Sequence, residues 1–330
     1  MFTCMARKIC LFLVGAFAFG FLPELDAQEL KPIRISLSLG SAQLPLWAAR
    51  DAGLFAKHGL NPELLGLQSA SRQIQLILAG DTVAASLSGT TPVRARVEGA
   101  DAIIIMGLLN SFTLSVITGP EIKKPSDLKG RYIGVGNLGG SPTLLTQRLL
   151  KKWGLESDVK FLATGGYIES LAALEKRRIH AAVLDPPRAY IGRKKFGFTE
   201  LANLGQEFKY ATTVIVARES QLRKERDTFS QFAKVVIEGI HRVKTDREFA
   251  IKVLGKMLRS SDREILEETY RVFSPLYEKT PYPALEGIQP ILDEMSAEVP
   301  KAKNYRPENF VDTSIIKQLD QSGFVASVYR

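Results

Sequence analysis

Six short segments rich in Gly, Ser, Thr and Asn offer this chain's most concentrated hydrogen-bonding chemistry. They are Gly40-Ser41-Ala42-Gln43, Ser69-Ala70-Ser71, Ser88-Gly89-Thr90, Asn137-Leu138-Gly139-Gly140-Ser141, Gly165-Gly166-Tyr167 and Asp185. Each follows a run that reads as a strand and precedes one that reads as a helix. At that junction of a parallel sheet, the free N–H groups of helix starts converge on a polar or anionic ligand. Any one of these residues also serves as an ordinary cap or turn residue, so the convergence of all six carries the reading. The candidates for ligand contact are Ser41, Gln43, Trp47, Ser69, Ser71, Gly89, Thr90, Asn137, Gly140, Ser141, Tyr167 and Asp185. Trp47 and Tyr167 stand early in helices beside these loops, where an aromatic walls a cleft or joins the core. Asp185, ahead of Pro186-Pro187, accepts from a ligand or caps the next helix. Arg188 pairs with an anionic ligand or stays among the surface arginines.

Catalytic and metal chemistry finds no support in the residue pattern. The three histidines, His58, His180 and His241, are scattered without ligand spacing, and no GxSxG, HExxH or acidic metal cluster occurs. Gly134-Val135-Gly136-Asn137-Leu138-Gly139 fits the dinucleotide fingerprint literally. Its strand is short, however, and the next one, Val159 to Leu162, ends without the carboxylate that would hold a ribose; Glu156 lies before it. No cofactor, no metal and no enzymatic activity are therefore expected.

The loops recur because the design is built twice. Pro45 matches Pro142, Gly59-Leu60 matches Gly154-Leu155, and Ala84-Ala85-Ser86-Leu87 matches Ala181-Ala182-Val183-Leu184, all at nearly equal offset. A repeat this long means duplicated domains rather than a solenoid. Thr113 to Thr118 and Thr212 to Ala217 read as β segments that cross between the two units. Beyond Glu219 the chain turns helical, with Phe229, Phe232, Val236 and Ile240 on one face. That region is expected to return to the first unit and cover its sheet.

With 330 residues and 45% hydrophobic composition, the chain has ample material for two domains. Arg7-Lys8, an apolar run from Ile9 to Leu22 and Leu25-Asp26-Ala27 read as a secretory signal peptide cleaved near Ala27. Both cysteines, Cys4 and Cys10, lie inside it, so residues 28–330 form no disulfide and no thiolate site. The net charge of +9 is spread over short basic runs without interleaved aromatics, which argues against nucleic acid.

Pro45 to Leu64, with its A-x-D-x-G-L-F-x-K-x-G-L-x-P-E-L pattern, resembles the solute-binding proteins of bacterial ABC importers. The branch is the one for aliphatic sulfonates, taurine, nitrate and the thiamine pyrimidine precursor. Leu78 to Ser86, Ser126 to Val135 and Ala181 to Pro186 support the likeness, which covers about residues 31 to 205. It implies a two-lobed α/β fold of the type II periplasmic-binding-protein class, each lobe a mostly parallel sheet flanked by helices, with a helical C-terminal region. The expected organisation is signal peptide 1–27, one lobe from 28–117 and 218–330, and a second from 118–217. The expected function is a monomeric periplasmic protein that closes on a small anionic or polar ligand and delivers it to an inner-membrane ABC permease. Two rivals share the cleft: an exported enzyme with Asp185 as general base, and a sensor docking on a membrane receptor. The fungal pyrimidine-synthesis relatives depend on a cysteine-rich segment that residues 28–330 lack.

Overall fold

The computed structural model describes residues 29–138 and 141–330, so the expected signal peptide and Gly140 lie outside the described residues. Ten strands run β1 (Lys31–Ser38), β2 (Leu60–Leu67), β3 (Ala84–Leu87), β4 (Ile103–Ser111), β5 (Ser115–Thr118), β6 (Tyr132–Val135), β7 (Lys160–Ala163), β8 (Ala181–Leu184), β9 (Thr199–Asn203) and β10 (Lys209–Ala217). They form two five-stranded sheets, ordered β2-β1-β3-β10-β4 and β7-β6-β8-β5-β9. The orders are superimposable. In each, the two strands flanking the first strand of the unit run parallel to it, and the strand that enters from the other unit is antiparallel. The duplication legible in the spacing is thus a duplication of topology.

Sheet membership corrects the expected domain boundaries. β5 pairs with β8 and β9, and β10 pairs with β3 and β4. The chain therefore crosses at 112–114 and again at 204–208, rather than at 117/118 and 217/218. The apolar patterns of β5 and β10 reveal two strands but not their partners, because a buried strand satisfies its hydrogen bonds equally well in either sheet.

Both sheets are covered on two faces, which is why their central strands, β3 and β8, are buried throughout. In β10, Ile215 and Ala217 pack toward the helical C-terminal region, whereas Val214 and Val216 join the opposite cluster. That second cluster continues through Phe112, Leu114 and Val116 into the other lobe, so apolar packing runs unbroken across the crossings. The expected face of Phe229, Phe232, Val236 and Ile240 is fully buried on the helix Arg226–Thr245. It shares a core with β1 and the helix Leu44–Asp51, so the tail does return to the first unit. The outer edge of β4 is closed by the same tail, where the Asp312 N–H donates to the Ile104 carbonyl at 2.8 Å. Among the described residues no helix is long and apolar enough to cross a membrane.

Candidate functional site

Two helix starts meet where the units face each other. Thr90 opens the helix Thr90–Val97 after β3, and Ser141 opens the helix Ser141–Lys152 after β6. Their hydroxyl oxygens are 3.5 Å apart. Both lie beside the phenol of Tyr210, at 3.1 Å from Thr90 and 2.7 Å from Ser141. The phenol donates its own proton to Glu294 Oε2 at 3.2 Å. Residues from the helices after β3 and β6, from β10 and from the C-terminal helix Gln289–Met295 thus share one polar chain that bridges the two units.

Burial sets the electrostatics of this chain. It pushes the Tyr210 phenol up to about 12, aided by the neighbouring Glu294 charge, so the phenol keeps its proton at neutral pH. Burial also raises Glu294 above the ordinary carboxylate range, against the opposing pull of Arg148 and the Tyr210 hydrogen bond. Its second oxygen, Oε1, is buried without a partner. A carboxyl raised in the folded state favours folding most below its unfolded value and loses that contribution as pH rises through the folded value. Glu294→Gln is therefore expected to be at least as stable as the wild type at pH 7 and to lose that advantage at pH 4. Denaturation curves of the two proteins at both pH values check it.

Gly89, expected at the ligand, has its N–H engaged by the protein itself: it donates to the Ala211 carbonyl at 3.0 Å. A Cβ there would stand 2.5 Å from that same oxygen, so the glycine lets β10 approach. The other candidates divide by distance from the crossings. Gln43 is buried after β1, its Nε2 donating to the Ser86 carbonyl at 3.4 Å while Oε1 has no partner. Ser41 is also buried and offers its carbonyl to the Tyr277 phenol at 3.1 Å. Trp47 is half-buried against the first core, with the Arg50 guanidinium 4.4 Å from its ring. Ser69 and Ser71 are exposed beyond the edge strand β2, and the Ser69 hydroxyl caps its helix by accepting from the Arg72 N–H. Asn137 is exposed, and its carbonyl accepts from the Thr143 hydroxyl at 2.6 Å.

In the second unit, Asp185 caps the helix Pro186–Phe196. Its Oδ1 accepts from the Arg188 N–H at 3.2 Å and its Oδ2 from the Arg188 guanidinium at 2.9 Å. The two side chains thus form an ion pair with each other. Burial raises Asp185, with Arg188 opposing. Tyr167 is pushed up to about 12 by burial and then by the Asp185 charge. Gly134 of the apparent dinucleotide fingerprint sits inside β6, where a Cβ would meet Ile179 Cδ1 at 2.4 Å; strand packing accounts for it.

A cavity of about 300 Å3 opens against the crossings, lined by Phe112 and Gly205 and by Arg193, Glu268 and Arg271. Among the described residues, no group of three or more His, Cys, Asp or Glu could hold a metal ion. Sequence reasoning missed Tyr210, Glu294 and this cavity. A faint signal for Glu294 exists: it lies three residues after buried Ile291 and next to buried Met295, on the inner border of its helix.

Two sheets of one topology, joined by two crossings and facing each other through helix starts, define the type II periplasmic-binding-protein fold. Solved structures agree. The periplasmic aliphatic sulphonate binding protein SsuA from Escherichia coli matches with TM-score 0.69 at 16% identity, covering 86% of this chain and 92% of that one. A putative periplasmic sulfonate-binding protein from Methylobacillus flagellatus KT gives TM-score 0.70 at 14% identity, covering 90% and 97%. The periplasmic nitrate-binding protein NrtA from Synechocystis PCC 6803 gives 0.63 at 12%, covering 92% and 91%. No curated protein sequence matches significantly. The chain belongs to the NMT1/THI5-like family, whose sequence profile matches residues 41–249.

Proposed function

We propose that this protein is the solute-binding component of an ABC-type importer, working outside the cytoplasmic membrane and handing a small polar organic molecule to a permease. The observation that carries the reading is the meeting of Thr90 and Ser141 across the two units. Helix starts from both lobes then close on one point, and the paired crossings provide the hinge about which such a clamp opens. Family membership and the shared fold support it. The lobes are residues 29–111 with 209–330, and 115–203. Against the exported-enzyme reading stands the ion pair that Asp185, its expected base, makes with Arg188.

Within that reading, the cleft favours a ligand that brings hydrogen-bond donors. Gln43 Oε1 and Glu294 Oε1 are buried acceptors without partners, and burial raises Glu294. An anion would meet these acceptors in poorly solvated surroundings, at a cost that a neutral N–H donor avoids. The relatives named above are described as sulfonate- or nitrate-binding; the two unpartnered acceptors of this chain favour instead a neutral nitrogen heterocycle that brings N–H donors.

A thermal-shift panel of methanesulfonate, nitrate and 4-aminopyrimidine, followed by calorimetry, tests both statements. A ligand at one hundred times its Kd stabilises by about 2.7 kcal/mol. The aminopyrimidine is expected to raise Tm. A rise with sulfonate or nitrate alone would overturn the ligand class and leave the solute-binding reading standing. Absence of a rise or of lobe closure with any of a broad metabolite set would overturn the function itself.

A further inference from the structure

The helix Pro186–Phe196 of the second lobe lies against the helix Arg263–Phe273 of the first, and charged side chains one turn apart join them. Arg193 is forked between lobes. Its Nη1 donates to Glu200 of its own sheet at 3.0 Å, and its Nη2 donates to Glu268 of the opposite lobe at 2.7 Å. Glu268 is only 9% exposed. It is held in place by Arg271, whose Nε and Nη2 lie 2.7 and 2.8 Å from its two oxygens. One turn earlier, Glu264 accepts from the Tyr190 phenol at 3.2 Å and pairs with Lys194. Arg193, Glu200, Glu268 and Arg271 line the same cavity as Phe112 and Gly205 of the crossings.

We propose that Arg193 is the latch of lobe closure: by tying the second lobe to Glu268 it sets ligand affinity without touching the ligand. The proposal rests on the solute-binding reading for its consequence, but not for its geometry. A guanidinium between two carboxylates is a directional, charge-assisted bond that exists only when the helices are apposed. It therefore stabilises the closed arrangement alone, and a contact present in one state of two shifts their populations. Exposed ion pairs of this kind contribute little singly. Here Glu268 is buried and pre-positioned by Arg271, so less side-chain ordering remains when Arg193 arrives. The Arg271 hydrogen bond, opposed by partial burial and aided by the charges of Arg271 and Arg193, holds the Glu268 carboxyl below its ordinary range, which keeps it ionised for the contact.

The test needs no ligand. Residues 28–330 contain no cysteine, so Glu98→Cys in the first lobe and Glu156→Cys in the second, both exposed, accept a pair of spin labels cleanly. Distance distributions are measured by pulsed electron resonance in low salt and in 1 M salt, where the screening length is about 3 Å. The wild type is expected to show a short, closed population that salt shifts toward longer distances. Arg193→Gln and, independently, Glu268→Gln are expected to show the longer population already in low salt, with little further response to salt. The charge exchange Arg193→Glu with Glu268→Arg is expected to restore closure in part. With 4-aminopyrimidine as probe, Arg193→Gln is expected to weaken binding about three- to tenfold, the factor by which the closed fraction falls.

Identical distance distributions for the wild type and both folded single variants would overturn the latch. So would a probe affinity unchanged in Arg193→Gln. If no probe binds but Arg193→Gln opens the lobes, the latch stands and the solute-binding reading is what fails.

Discussion

Gly205→Ala is expected to lower the Tm by roughly 5–10 °C, the largest effect of any single methyl group added near the hinge. A Cβ at this position would stand 1.9 Å from the carbonyl oxygen of Phe112. Residue 205 lies in the return crossing and residue 112 in the outward one. The two crossings thus touch backbone to backbone, and no side-chain rotation can relieve the clash. Either the short helix Leu204–Glu207 or the Phe112 segment has to move, and overpacking of this kind costs about 1–3 kcal/mol or more. Gln206→Ala, its exposed neighbour, is the control and is expected to change stability by less than about 0.5 kcal/mol. The substitution also acts where the lobes pivot. The spin-label distances described above are therefore expected to broaden in Gly205→Ala even where the protein remains folded. A wild-type Tm in this variant would show that the crossings are not packed as described.

Tyr210→Phe is expected to cost about 1–3 kcal/mol, although it removes one oxygen and leaves the ring packed 4.8 Å from Phe112. The cost comes from what the hydroxyl leaves behind. Glu294 Oε2 receives its hydrogen bond from Tyr210, and Oε1 is already without a partner. Thr90 and Ser141 lose their common acceptor at the same moment. The sign is decided by a double-mutant cycle. In the Tyr210→Phe background, Glu294→Leu is expected to restore part of the loss, because a buried acceptor without a partner disappears. In the wild-type background the same change removes an occupied acceptor and gives no such gain. Additive effects of the two substitutions would mean that the phenol and the carboxyl are not coupled. For a ligand held by these groups, Tyr210→Phe is also expected to weaken binding about tenfold, the equivalent of one hydrogen bond of about 1.4 kcal/mol.

The sequence made the six loops visible but could not rank them. Ser69 and Thr90 read alike, each a hydroxyl ahead of an amphipathic helix. In the fold Ser69 caps a helix beyond an edge strand, while Thr90 faces the other lobe. The difference is strand order, which places β2 outermost and β3 next to the crossing strand β10. Gly89 was legible as special, but not the segment that packs on it: β10, more than a hundred residues later in the chain. Tyr210 and Glu294 were invisible because each is unremarkable locally, one aromatic at a strand start and one acid on a short helix.

The sequence by itself determined that this protein is built twice, that its tail returns to cover the first sheet, and that its hydrogen-bonding loops gather at strand ends. These follow from periodicity, apolar patterning and glycine placement, which act over a few residues. The tertiary structure alone decided where the chain crosses between lobes, which loops face each other, and that a carboxyl and a phenol sit between them. Those outcomes depend on the pairing of strands and helices far apart in the chain. Pairing is selected by the summed burial of whole surfaces, not by any local run of residues.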